Sequence, residues 1–263
     1  MHIASLSYGK DSLKMLEVIN SRGLPLDRII TFDVWATDDI SADLPDVVEF
    51  KAYIDSYIKK KYDLDVEHLC AHYSNGEKVT YEKEFYRTLS KGKRAGEIYG
   101  FPYRQGAWCN SRLKLSARKG AILSNDIEYI GIAFDEISRQ KRLNNKLVAP
   151  LVDFCIEEDL CGLYCTWENI LSPTYNYSFR DGCWFCHNQS IGSLRNLWKN
   201  YPDLWQLLLK WETDSPVSFF MNGRKLLDFD YRFQLEDDNF RCMNSKSFRW
   251  DCDCFQKVME GFA

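Results

Sequence analysis

The chain has 263 residues, of which 45% are hydrophobic, and its formal net charge is −4. This length is enough for one large domain, with or without an appended subdomain, and the nearly balanced charge excludes a generally basic nucleic-acid-binding protein. The sequence contains no run of about 18 apolar residues, the length that is needed to span a membrane, and its N-terminus lacks the pattern of a signal peptide. We therefore expect a cytoplasmic protein.

Strands and helices are predicted to alternate over the first 154 residues. Short runs rich in β-branched and aromatic residues predict strands, and amphipathic runs predict helices. The predicted strands are 2–8, 28–36, 65–71, 126–134 and 146–154, and the predicted helices are 10–22, 44–62, 81–94 and 111–123. This alternation predicts an α/β fold with a parallel sheet covered by helices on both faces.

The sequence changes character after residue 154. Aromatic residues become frequent, and the segment 194–212 is typical of two short helices separated at Pro202. We expect residues 1–154 to form an α/β domain. Residues 155–263 are expected to form a helical, loop-rich subdomain that contains a Cys-x-x-Cys site and packs on the sheet.

The stretch SLSYGKDSLKML joins the first predicted strand to the first predicted helix. Gly9 would let the backbone approach a ligand closely, and the unpaired N–H groups of the helix start favour an anion. Lys10 adds a positive charge, and the hydroxyls of Ser7 and Ser12 add donors. We expect a phosphate site here. The alternative is an ordinary helix start that is capped by Ser7 or Asp11.

Basic residues are concentrated in one part of the chain. Residues 87–119 contain nine Lys or Arg and one acidic residue, Glu97, and a second basic group, RQKRLNNK, occupies 139–146. This concentration favours a polyanionic partner, a nucleotide or a nucleic acid, with Arg94 and Arg112 as docking residues. The alternative is a set of solvated helix faces.

The residues S-Y-G-K-D-S, from Ser7 to Ser12, resemble the PP-loop signature S-G-G-x-D-S of the ATP pyrophosphatases, also called adenine-nucleotide α-hydrolases. Tyr8 stands where the signature has its first glycine. The stretch is neither a Walker A loop nor a dinucleotide-binding G-x-G-x-x-G turn, because only one glycine precedes Lys10.

Four later segments resemble the PAPS-reductase-like branch of this superfamily, in the expected order. Asp33 and Pro45 correspond to the acidic residue and the proline after its second strand, although the Thr-Gly of that motif is missing. The W-C-[TS]-x-x-x-K segment of the branch is matched by Trp108, Cys109 and Lys114. Its G-x-R-x-x-E-S-x-R segment is matched by Gly131, Glu136, Ser138 and Arg139, with Ala133 in place of the first arginine. Its G-C-x-x-C-P segment is matched by Cys183 and Cys186, with His187 in place of the proline.

This resemblance implies a Rossmann-like, HUP-type, doubly wound sheet that binds ATP or a PAPS-like nucleotide together with Mg²⁺. It implies attack on the α-phosphate with loss of pyrophosphate, followed by sulfur transfer to a nucleic acid or a nucleotide. It also leaves room for a sulfur donor protein and a homodimer. The catalytic residues that it implies are Lys10, Asp11, Ser12 and Arg139, and the nucleotide-binding residues are Ser7, Tyr8, Gly9, Lys10, Asp11, Ser12, Asp33, Gly131 and Glu136.

Two other functions stay open at this point. A sulfonucleotide reductase would release sulfite from PAPS or APS, but the chain has no segment of the E-C-G-I-H type, and FRWDCDCFQ differs from it. A non-catalytic nucleotide-binding module would bind ATP and release no pyrophosphate.

The ten cysteines are not spaced like a disulfide framework. Cys183 and Cys186 form a Cys-x-x-Cys pair that can hold a metal ion or two irons of a cluster, and the resemblance adds Cys109 as a third ligand. Cys254 is the expected fourth ligand, and Cys252, His187 or no residue are the alternatives. We expect an iron–sulfur cluster, or else zinc; a redox dithiol and inert buried thiols are the other interpretations.

Two further pairs have a spacing of four residues. Cys161 and Cys165 lie on one face of a predicted helix and are expected in the core. His68 and His72 lie at the end of a predicted strand, where that spacing does not put them on one face, so no metal site is predicted there.

Overall fold

The computed structural model describes residues 1–103, 107–178, 181–220 and 223–237. Its centre is a five-stranded parallel sheet with the order β3-β2-β1-β4-β5. The strands are β1 (His2–Ser5), β2 (Arg28–Phe32), β3 (Val66–Leu69), β4 (Ile127–Ile130) and β5 (Leu147–Val148). Strand order reverses between β1 and β4, so the predicted doubly wound, Rossmann-like α/β fold is confirmed, and the ligand crevice is expected beside β1.

Ten α-helices are found within the described ranges. They are α1 (Lys10–Ser21), α2 (Pro45–Tyr62), α3 (Tyr81–Phe85), α4 (Leu115–Ala121), α5 (Ile137–Gln140), α6 (Pro150–Asp153), α7 (Glu158–Trp167), α8 (Ile191–Asn200), α9 (Pro202–Asp214) and α10 (Leu226–Asp237), with a π-helical turn at Asn110–Lys114 and a 3₁₀ turn at Pro173–Asn176. None of the helices in the described ranges is long and apolar enough to cross a membrane.

The helix predicted at 81–94 is wrong beyond Phe85. Gly92 and Gly96 have φ values of +92° and +91°, which break a right-handed helix. The backbone turns back on itself instead, with an antiparallel bridge between Thr88 and Ile98. We call residues 88–98 the lysine hairpin, because Lys91 and Lys93 lie exposed near its tip.

Two prolines set element boundaries by the same mechanism. The strand predicted at 146–154 is reduced to Leu147–Val148, because Pro150 occupies the first turn of α6, where its missing N–H costs nothing. Pro202 opens α9 in the same way, so the predicted break within 194–212 is confirmed.

Two hydrophobic clusters stabilise the fold. The first surrounds the sheet and includes Leu16 of α1, Ile54 of α2, and Cys161 and Cys165 of α7. The second, the aromatic cluster, combines residues of 34–113 with residues of 184–233. Its largest buried members are Tyr81, Phe85, Phe101, Trp184, Trp205, Trp211, Phe229 and Phe233. Neither cluster ends at residue 154, where the sequence suggests a domain boundary, because α7 packs on α1 and the C-terminal helices pack on loops that follow β2 and β3.

Candidate active site

The loop between β1 and α1 presents an uncapped helix start at the switch point of the sheet. Gly9 is the N-cap of α1, with φ −76° and ψ 159°, and it has no side chain to close the helix end. Within the described residues neither Ser7 nor Asp11 caps α1, so the alternative of a capped turn is wrong. The loop therefore has the geometry that suits an anion at the start of a helix.

Ser12 braces this loop from inside. Its hydroxyl donates to the Gly9 carbonyl at 2.9 Å and accepts from the Ser7 amide at 3.2 Å and from the Ser7 hydroxyl at 3.1 Å. These three bonds use the one donor and both acceptor sites of a hydroxyl. Ser12 is buried and does not line the neighbouring cavity, so its side chain holds the loop in shape.

Gly131, just after β4, allows the loop to lie directly on the sheet. A Cβ atom at this position would come within 2.7 Å of the Ser12 nitrogen and 2.9 Å of the Asp11 carbonyl carbon. Only glycine permits that approach, because both contacted atoms belong to the backbone. Gly131 therefore contributes to the site through packing under α1 and does not line the cavity.

Tyr8 occupies the position of the first glycine in the PP-loop signature, and it has a left-handed φ of +59°. Glycine adopts this conformation most readily, which explains the usual residue at this position. The Tyr8 ring is buried and lies outside the cavity lining; its hydroxyl donates to Asp55 Oδ1 at 2.6 Å and lies 3.2 Å from His68 Nε2. The phenol therefore anchors the loop to α2 and β3.

Asp33 belongs to the same polar network and also lies outside the cavity lining. His68 Nδ1 lies 2.8 Å from Asp33 Oδ2, and His68 Nε2 lies 3.0 Å from Asp55 Oδ2. Burial opposes protonation of His68, but its hydrogen bonds and charge attraction to the two carboxylates outweigh burial and raise its pKa. The imidazole thus lies between two carboxylates, an arrangement that favours its protonated form.

A cavity of about 650 Å³ opens in front of the loop, at the carboxyl ends of β1 and β2. Six of the predicted nucleotide-site residues line it, namely Ser7, Gly9, Lys10, Asp11, Glu136 and Arg139, together with the predicted metal ligand Cys183. The charged side chains on its walls are the cations Lys10, Lys51, Lys114 and Arg139 and the carboxylates Asp11, Asp43, Glu136, Glu158 and Asp181.

Most of the cations in the cavity are already paired with carboxylates. Lys10 pairs with Glu158, and Lys51 pairs with Asp43. Arg139 Nη1 donates to both Glu136 oxygens at 2.7 and 2.8 Å. An anionic ligand would have to compete with these carboxylates or arrive with a cation that satisfies them.

Two carboxylates have an oxygen that is buried and without a hydrogen-bond partner among the described residues, namely Asp11 Oδ1 and Asp181 Oδ2. Burial raises the pKa of both groups. A Cβ atom at Gly9 would lie 3.4 Å from Asp181 Oδ2 and 3.5 Å from Ser7 Oγ, so the carboxylate faces the open side of the loop. No motif pointed to Asp181; its only sequence signal is that it precedes the G-C-x-x-C segment.

The thiols of Cys109, Cys183 and Cys186 line a second cavity of about 380 Å³. This thiol cavity shares Lys114 and the wall 181–183 with the first cavity. Burial raises the pKa of Cys183 to about 12 and that of Cys109 to about 11. No three His, Cys, Asp or Glu side chains of the described residues are grouped closely enough to hold a metal ion. The predicted fourth ligand, Cys254, and its alternative Cys252 lie outside the described residues.

The cysteines of α7 are structural. Cys161 and Cys165 are fully buried against α1, and Cys165 Sγ lies 3.6 Å from the Lys10 carbonyl oxygen. The prediction that this pair belongs to the core is confirmed.

The two arginines expected to dock a substrate are used within the protein. Arg112 pairs with the buried carboxylate of Glu84 and donates to the Tyr99 hydroxyl at 2.7 Å. Arg94 Nε donates to Glu97 at 2.7 Å, and its Nη2 donates to the Ile98 carbonyl at 2.8 Å. Both arginines therefore order the segment around the lysine hairpin, and the exposed cations available there are the lysines.

Comparison with known proteins adds little to this description. No protein-family model and no curated protein sequence matches the chain. Among solved structures, the chain has some similarity to the U34-tRNA thiolase NcsA from Methanococcus maripaludis with its [4Fe-4S] cluster, with a TM-score of 0.38 and 17% identity over 81% of this chain and 70% of that one. The fold class of this chain therefore follows from its own strand order.

Proposed function

We propose that this protein is a PP-loop enzyme that uses ATP at the α-phosphate, and that its overall reaction is sulfur transfer to a nucleic acid or a nucleotide. The observation that carries this proposal is the wall 181–183, which lines both the cavity at the PP-loop and the cavity that contains the three cysteines. A site for activating an acceptor would then adjoin a site for handling sulfur.

The charge balance of the first cavity supports binding of a nucleotide together with a divalent cation. Five carboxylates and four cations lie on its walls, so the charge there disfavours a bare triphosphate. Mg²⁺ typically binds one or two carboxylates together with substrate phosphates, and it would neutralise charge on the triphosphate. Asp181 Oδ2 and Asp11 Oδ1, which lies 3.7 Å from Lys10 Nζ, accept no hydrogen bond among the described residues and are the groups that would hold it.

Lys10 and Arg139 would stabilise the charge that develops on the phosphate oxygens. In the proposed reaction, an acceptor oxygen forms a bond to the α-phosphorus while the bond to pyrophosphate breaks. A hydrosulfide, free or supplied by a donor protein, then bonds to the acceptor carbon, and AMP leaves with the oxygen. Lys10 would have to leave Glu158, and Arg139 would have to leave Glu136, to reach the phosphates.

The thiol cavity fits a cluster better than a single zinc ion. Thiolates on one zinc lie about 3.8 Å apart, given Zn–S bonds of about 2.3 Å in a tetrahedron. Within the described ranges no three donors have such an arrangement, whereas three thiols around a cavity of about 380 Å³ leave room for several metal atoms. Cys109, Cys183 and Cys186 would hold the cluster, whose iron could carry the sulfur to be transferred. Their protons must leave when metal binds.

Pyrophosphate release tests the proposed function. We expect anaerobically purified protein to release pyrophosphate from ATP when RNA and sulfide are present, and to introduce sulfur into the RNA. Lys10→Ala should reduce the rate by at least about tenfold, because it removes a charge-assisted hydrogen bond to phosphate. Lys60→Ala, at an exposed position of α2, is the control. Sulfite release from PAPS, or ATP binding without pyrophosphate release, would replace the proposal with a reductase or a binding module.

A further inference from the structure

A third cavity, of about 410 Å³, lies beside the lysine hairpin, and it shares no lining residue with the first two cavities. Its lining consists of aromatic, aliphatic and basic residues only. These residues are Leu89, Lys91, Lys93, Arg94, Tyr99, Phe101, Tyr103 and Trp108. An aromatic surface with a cationic rim is the combination by which proteins hold single-stranded nucleic acid without reading its sequence.

The aromatic surface is held in place before any ligand arrives. Trp108 Nε1 donates to the Gly100 carbonyl at 3.2 Å, and the Trp108 ring stacks on Tyr81 with centroids 4.9 Å apart. Tyr103 is 60% exposed, and its hydroxyl accepts from Arg94 Nη1 at 3.3 Å. A base could therefore stack on the Tyr103 ring with little loss of side-chain freedom.

The rim attracts phosphate. Lys91 and Lys93 are exposed and form no ion pair with any residue that the structure describes. Glu97, the one acidic residue of the hairpin, is already paired with Arg94 at 2.7 Å. The two lysines are thus available to neutralise backbone phosphates on either side of a stacked base.

The pocket is linked to the thiol cavity through two neighbouring residues. Trp108 lines the pocket, and Cys109, the next residue, lines the thiol cavity. Tyr81 lies between the pocket and the thiol cavity, because its ring stacks on Trp108 and it also lines the thiol cavity. Nucleic acid bound in the pocket would therefore lie beside the thiol cavity.

We propose that this pocket binds one unstacked base of a single-stranded nucleic acid, with Tyr103 as the stacking platform and Lys91 and Lys93 as the groups that neutralise phosphates. The inference rests on the proposed function, for which it supplies the docking site of the nucleic-acid substrate.

Binding of a labelled, short single-stranded RNA, measured by fluorescence anisotropy over a range of salt concentrations without ATP, tests the pocket. Log affinity falls with log salt, and the double variant Lys91→Gln/Lys93→Gln should make this fall less steep by about 1.4 in slope. Each phosphate that is no longer neutralised accounts for about 0.7 of the slope. The matched control, Lys60→Gln/Lys225→Gln, replaces two exposed lysines elsewhere and should keep the wild-type slope. An unchanged slope in the hairpin variant would overturn the proposal.

Stacking is tested separately from charge. Tyr103→Ala should weaken RNA binding by about tenfold at every salt concentration, with an unchanged slope, whereas Tyr103→Phe should bind nearly as wild type. An oligonucleotide with the same phosphates and no bases should bind equally to wild type and to Tyr103→Ala. Equal losses with both ligands, or wild-type binding by Tyr103→Ala, would contradict base stacking.

The outcomes separate this proposal from the proposed function. If wild-type protein releases pyrophosphate from ATP and binds no RNA, the pocket is wrong and the nucleotide site stands. If the variants change RNA binding as expected and no pyrophosphate is released with any substrate, the proposed RNA-binding pocket is supported and the proposed enzymatic function is wrong.

Discussion

Gly131 and Ser12 touch through their backbones, and this close approach joins the end of β4 to the first turn of α1. Because a Cβ atom at Gly131 would come within 2.7 Å of the Ser12 nitrogen, the position of the whole loop around Gly9 depends on a missing side chain. The same residues that match a sequence motif for nucleotide binding thus act through packing.

Gly131→Ala should displace the first turn of α1. We expect a loss of about 1–3 kcal/mol of unfolding free energy, as in other overpacked sites, together with weaker ATP binding. Urea unfolding and ATP titration measure the two effects. The control is Gly120→Ala in α4, where a Cβ would meet nothing within 4 Å and where alanine should stabilise the helix by about 0.5–1 kcal/mol. Equal behaviour of the two variants would show that the close approach is not important.

Ser12→Ala should destabilise the protein as well as slow its reaction. The change removes the acceptor of the Ser7 amide, at a cost of about 1–3 kcal/mol of unfolding free energy, whereas the Gly9 carbonyl keeps the Leu13 N–H as a donor at 3.1 Å. Ser116→Ala, at an exposed position of α4, should change that free energy by no more than about 0.5 kcal/mol. A variant of Ser12 with wild-type stability and no turnover would instead indicate that the hydroxyl acts on the nucleotide directly.

The His68 network predicts a pH dependence of stability. The pKa of His68 is raised in the folded protein, so its contribution is fully present below the ordinary histidine pKa of about 6.5 and is lost as pH rises through the folded value. His68 faces Asp33, Asp55 and the Tyr8 hydroxyl, and removing its charge leaves the two carboxylates facing each other.

Urea unfolding between about pH 6 and about pH 9 measures this effect. Wild type should lose more stability over that range than His68→Gln, which has no charge to lose. Because His68 is 38% exposed, we predict the direction of the difference and a modest size. Parallel curves for the two proteins would show that the imidazole stays neutral between its carboxylates.

The two groups of cysteines should respond differently to substitution. Cys183→Ala removes a thiol from the cavity proposed to hold a cluster, so iron and acid-labile sulfide per chain should fall after anaerobic purification. Cys161→Ala, in the core, should cost about 1 kcal/mol of unfolding free energy and leave the iron content unchanged. Zinc in place of iron in the wild-type protein, or equal iron loss in both variants, would contradict the assignment of the thiol cavity.

The parts of the site that local sequence could predict are those built from contiguous residues. Alternation of strands and helices was sufficient for the sheet, and the turn around Gly9 was sufficient for the loop that faces the cavity. Lys51 and Asp181 were missed, because α2 and the segment before the Cys-x-x-Cys pair bring them to the cavity only in the folded chain.

Charge partners were the other feature beyond the reach of the sequence. Arg112 looked like a docking residue because no acid is near it in the chain, yet Glu84 meets it across 28 positions. The prediction of a helix at 81–94 was wrong beyond Phe85, because it followed the amphipathic pattern of the segment. The backbone instead turns at Gly92 and Gly96, which both have a positive φ.

The aromatic cluster has a consequence for any attempt to divide the protein. Trp211 packs on Tyr81 and Phe85, and Trp184 stacks on Trp211, so the two halves of the chain complete each other's interior. A polypeptide cut between residues 154 and 155 would give two fragments with exposed indole and phenyl rings, and these fragments would regain structure only when mixed.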